Sequence, residues 1–142
     1  MTLDRAILAA DQLAATVQRD GVEPAYAELE AAIRNFQEEG YPIESILPQG
    51  SDARLGFSLR STDGKGFFEA YSKMLRKCLC GANGEFHKLI KSGVNTSVGA
   101  VLAAMVNSLG IPSAAMGVMI PVAAIIAKVG VDAFCEVTRP EN

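Results

Sequence analysis

The sequence has no Trp and a single His, His87. It has only three cysteines and no surplus of basic charge, with 13 Lys and Arg against 16 Asp and Glu. One imidazole leaves little material for acid–base catalysis. The acidic balance argues against a dedicated nucleic-acid binder, whose footprint is a basic excess. The odd cysteine count does not suggest a paired disulfide framework. A secretory signal needs a basic start and then an unbroken apolar run. The opening Met1–Arg5, with acids at Asp4 and Asp11, offers neither. A reduced, cytoplasmic setting is therefore expected, with membrane association as an added option.

The largest absence is internal. From Ser92 to Ala127 there are 36 residues without one charge and without one aromatic ring. Ala, Gly, Val, Ile and Met dominate the run. The chain is 49% apolar overall, enough for a core in one domain of 142 residues. Residues 1–91 read as an amphipathic helical region, and residues 92–142 as an uncharged helical hairpin with a tail.

Periodicity supports a mainly α fold, a small helical bundle. Leu3, Ile7, Ala10, Ala14 and Val17 recur at helical spacing, and Gly21 follows them. Pro24 suits a first helical turn, and Tyr26, Leu29, Ile33 and Phe36 make a second stripe before Gly40 and Pro42. The short connection predicts an antiparallel helical hairpin. Residues 41–53 carry loop chemistry, with room for one helical turn over 43–47. Leu55, Phe57 and Leu59 alternate with polar neighbours, which predicts at most one short strand or hairpin near 54–66, with a turn at 62–66. Helical spacing returns over 67–79, and a short helix is expected from Glu85 to Lys91. In the uncharged run, Gly110–Ser113 divides two helices, about Thr96–Leu109 and Ala114–Cys135, and Pro121 should kink the second or mark its real start.

A surface helix is polar on one side, but these two are apolar almost all round. Such a helix is buried on every side, packed against another chain, or set in lipid. Small residues recur four apart at Gly99/Ala103, Ala100/Ala104 and Ala123/Ala127, a spacing that lets helix backbones approach closely. With Gly117 and Ala124 they form the candidate interface, for a second copy or another protein partner. The reading is a non-enzymatic assembly protein. The alternative is a membrane-active effector. In general form the hairpin looks like the hydrophobic hairpins of pore-forming toxin domains, though no motif carries that likeness. Lys73, Arg76, Lys77, Lys88 and Lys91 flank the run and would favour anionic headgroups, at about 1 kcal/mol each near a charged surface. Both apolar segments are short for a span of about 20 residues.

Other constellations are weaker. Cys78, Cys80, His87 and Cys135 are zinc-ligand types, and a Cys–His pair is the raw material of a nucleophile. However, Cys-x-Cys is not the common ligand spacing, and nothing in the sequence orients the His. Asp63–Gly66 and Gly81–Gly84 are glycine-rich without a phosphate-loop pattern. No cofactor, metal or catalytic residue is expected.

Overall fold

The computed structural model describes residues 2–41, 64–81, 84, 86–88 and 97–137. Among these the fold is all helical: α1 Leu3–Asp20, α2 Glu23–Glu38, α3 Gly64–Leu79, α4 Val98–Leu109, α5 Met116–Val129 and α6 Val131–Val137, with a 3-10 turn at Ser113–Ala115. The expected helical bundle is therefore present. The expected strand at 54–60 and the helical turn at 43–47 lie outside the described residues, as does most of the short helix expected over 85–91. Phe86–Lys88 of the latter are helical.

Local chemistry sets the ends. Thr2 Oγ1 accepts from the Arg5 amide at 3.3 Å, and Ser97 Oγ accepts from the Ala100 amide at 3.1 Å, so α1 and α4 each begin on a hydroxyl cap. Between α1 and α2 the chain reverses at Gly21, whose φ of +90° lies where a side chain would be strained. Pro24 falls in the first turn of α2 as anticipated. Two boundaries differ from expectation. Gly64–Gly66 are helical rather than a turn, because the apolar stripe of α3 reaches back to Phe67 and its first turn carries the glycines. The second apolar helix does not run to Cys135. It stops at Gly130, φ +96°, and α6 starts afresh. Pro121 lies inside α5 without ending it.

Helix α5 is the axis of the molecule. Residues 118–126, nine in succession, are all buried. Helices α4, α1 and α2 pack on it in an arc, through contacts of α4 with α1 and α1 with α2, and α3 lies against α2 and reaches α5 through Tyr71. A helix without a polar face needs neighbours on every side, and the arc supplies them. Full burial of a Val, Ile or Met side chain contributes roughly 2 kcal/mol before ordering costs, so Val118, Met119, Val122, Ile125 and Ile126 form a large share of the core. On α3, the Tyr71 hydroxyl donates to Met119 Sδ at 3.6 Å. Buried hydroxyls need such a partner.

Candidate functional site

The uncharged run forms a surface as well as a core. Ser97, Asn107, Ser108, Gly110, Pro112, Ser113, Ala114 and Gly117 are exposed, and none carries charge. They lie at the two ends of α4, on the connection and at the start of α5, with the half-buried Ala100, Ala103 and Val106 between the ends of α4. There it meets a groove of about 490 Å³ between α1 and α2. Alanines 9, 31 and 32 keep the walls low, Gln12, Glu28 and Asn35 supply polar atoms, and Gly117 and Ile120 form the floor. A smaller hollow of about 240 Å³ continues it past Phe36 to Ser113 and Ala114. A Cβ added at Gly117 would meet nothing within 4 Å, so the floor is open. Pro121 has no N–H for the Gly117 carbonyl four residues earlier, which leaves that acceptor without its usual intrahelical donor.

The small residues singled out in the sequence divide into three groups. Ala123 and Ala124 are buried inside this chain at 0% and 1% exposure. Ala104 is also buried, whereas Ala100, Ala103 and Ala127 are half-buried. Gly99 faces α1, where a Cβ would stand 3.1 Å from Ile7 Cγ2, so its smallness serves packing between α4 and α1. Gly117 is exposed.

The basic flank centres on α3. Lys73 and Lys88 are exposed. The Arg76 guanidinium lies 4.8 Å from the centre of the Phe134 ring, and its buried Nε has no hydrogen-bond partner among the described residues. Burial lowers the Arg76 pKa from its ordinary value. The Tyr26 phenol is raised, first by burial and then by the negative charges of Glu69 and Glu23. Lys77 belongs to α3, and Lys91 lies outside the described residues.

Comparison with protein-family models, with curated proteins and with solved structures finds no match. Function must therefore be argued from the molecule itself. Among the described residues there is no group of three or more His, Cys, Asp and Glu placed to hold a metal ion. No described helix is long and apolar enough to cross a membrane.

The cysteines correct one expectation. Cys80 and Cys135 are joined by a disulfide, with Cα atoms 5.6 Å apart across a separation of 55 residues. An odd count leaves room for one pair and one remaining thiol, and only the fold brings the end of α3 to α6. While the bond stands, neither sulfur is a thiolate ligand or nucleophile, which removes Cys80 from the Cys78, Cys80 and His87 constellation. His87 is half-buried.

Proposed function

We propose that this chain is a non-enzymatic assembly protein that self-associates through the uncharged outer face of α4 and the adjoining groove. One observation carries the reading: the eight exposed residues from Ser97 to Gly117 include no charge, beside a groove whose floor is open. Monomer surfaces normally intersperse charges of both signs. A second copy is the favoured occupant because a two-fold contact brings the same patch to itself. An uncharged patch of small residues can meet itself without repulsion. The rest of α1 and α2 cannot, since residues 1–41 hold eight acidic residues, Glu28 in the groove lining among them, against three basic ones.

Light scattering after size exclusion tests this. The expected result is a species heavier than the 15.0 kDa chain, with its mass rising with concentration. Asn107→Lys and Gly117→Leu alter exposed positions and should lower that mass while helix content stays unchanged. A 15.0 kDa species at every concentration, or variants that associate like the wild type, would overturn the reading.

A second reading has its own support. Nine buried residues in succession make α5 a helix apolar all round, sheltered by amphipathic α1 and α2. Exposure of that helix to lipid would make the chain a membrane-active effector. Transfer to anionic vesicles, reduced by changing Lys73, Arg76 and Lys77 to Gln, would favour it.

A further inference from the structure

We propose that the Cys80–Cys135 disulfide is a redox latch that holds α6 against the end of α3, and that its reduction lets α6 swing out at Gly130. Three observations converge. First, α6 has only seven residues, too few to persist as a helix without an anchor. Secondly, its joint to α5 is a glycine with φ +96°, a conformation without a Cβ to hold it, and α5 is already closed there by the Gly130 amide bonding to the Ile126 carbonyl at 2.7 Å. The main helix therefore ends complete, whether or not α6 stays docked. Thirdly, α6 covers something. Phe134, 2% exposed, lies 6.1 Å from the Phe86 ring and 6.5 Å from the Phe68 ring, with Arg76 against its face. Departure of α6 would uncover an aromatic patch of Phe68 and Phe86 beside the basic residues of α3.

The chemistry is thiol–disulfide exchange with a dithiol reductant. One thiolate of the reductant attacks a sulfur of the Cys80–Cys135 bond and forms a mixed disulfide. Its second thiolate displaces the protein sulfur. Two electrons and two protons pass to the cysteines, which become thiols, and the reductant leaves as a disulfide. Cys78 takes no part in the balance. In an oxidising compartment the bond is a permanent staple, whereas in a reducing one such bonds are transient and sense redox state.

The test compares full-length protein in its oxidised form and in dithiothreitol. Alkylation should find one reactive cysteine before reduction and three after it, as three cysteines with one bond require. Hydrogen exchange should then show α6 amides losing protection by at least about ten-fold more than amides of α1, α2 and α5. Removal of reductant and reoxidation should restore α6. Cys78→Ser should leave the oxidised pattern intact, and Cys135→Ser should imitate the reduced one. If that variant fails to fold, reduced wild-type protein decides. Three alkylated cysteines in the oxidised sample would overturn the proposal. So would α6 protection that reduction leaves unchanged, or an equal fall in protection in every helix, which would make the bond a global staple.

Discussion

The molecule contains two helical hairpins built on opposite plans. Helices α1 and α2 are amphipathic. Of the 16 residues of α2, only Ala25, Leu29, Ile33 and Phe36 are buried, at successive spacings of four, four and three. Helix α5 has 14 residues and buries ten of them, nine without a break from 118 to 126. The first hairpin reveals its inward side by its period. The second reveals its central position by having no period and no charge before Lys128. Where hydrophobicity alternates, sequence tells which side faces in. Where it does not, sequence tells that there is little outside, and the same 14 residues must find neighbours in every direction.

The same acidic substitution should separate the two plans most widely. Ala124→Asp would place a carboxylate in the middle of α5, among apolar side chains with no partner. An uncompensated buried charge costs several kcal/mol, about 4 here, and the variant is expected to fail to accumulate as folded protein. Ala15→Asp puts the same group on the exposed face of α1, between Asp11 and Arg19 one turn away on either side. It should change stability by less than about 0.5 kcal/mol in urea unfolding. Equal losses at the two positions would break the distinction.

The disulfide comes next. It closes a loop of 55 residues that contains both α4 and α5. Chain-entropy arguments assign such a closure about 4 kcal/mol, an upper figure that native-state strain reduces. Reduction should lower the unfolding free energy by about 2–4 kcal/mol, and Cys78→Ser should lower it far less. A reduced protein as stable as the oxidised one would show that the uncharged hairpin is held by packing alone. Overpacking is a finer probe. Ala124→Leu, at 1% exposure, should cost about 1–3 kcal/mol. Ala103→Leu, half-buried on α4, should cost less than about 1 kcal/mol, since part of the new side chain reaches solvent.

Much of this fold was legible from pattern. Gly21, Pro24 and the stripe from Leu29 to Phe36 place α1 and α2 within a residue or two. The arc around α5 was not legible, because a helix that is apolar all round carries no direction. Pro121 was ambiguous for a related reason: a proline early in a helix and one just before it leave the same trace. The break at Gly130 was missed although Lys128 and Asp132 flank the glycine, since an isolated glycine within helical apolar spacing is also tolerated inside a helix. The groove has a trace only in retrospect. Ala9, Ala31 and Ala32 are small, but alanine is also the default helix former. The Cys80–Cys135 bond left no local signal, since 55 residues separate its partners. For the interface candidates, spacing identified small residues but not what they approach. Gly99 approaches α1 of the same chain, and Gly117 approaches nothing.

Those two glycines give the smallest and most discriminating contrast. Both lie in the first turn of a largely apolar helix, and neither has a positive φ. Replacing a helical glycine by alanine removes backbone freedom from the unfolded chain and gains roughly 0.5–1 kcal/mol where nothing obstructs the methyl group. At Gly117 nothing does, so Gly117→Ala should stabilise the chain by about 0.5 kcal/mol, the low end for a helix start. At Gly99 the methyl group would stand 3.1 Å from Ile7 Cγ2, tighter than ordinary contact. Ile7 is β-branched and stiff at χ1, so α1 and α4 must part slightly and much of the gain is lost. Thermal unfolding of the two variants beside wild type measures the difference directly. A larger gain at Gly117 than at Gly99 means that α4 is fitted to α1 while the start of α5 is left open. Equal gains would mean that the contact between α1 and α4 is loose enough to absorb a methyl group.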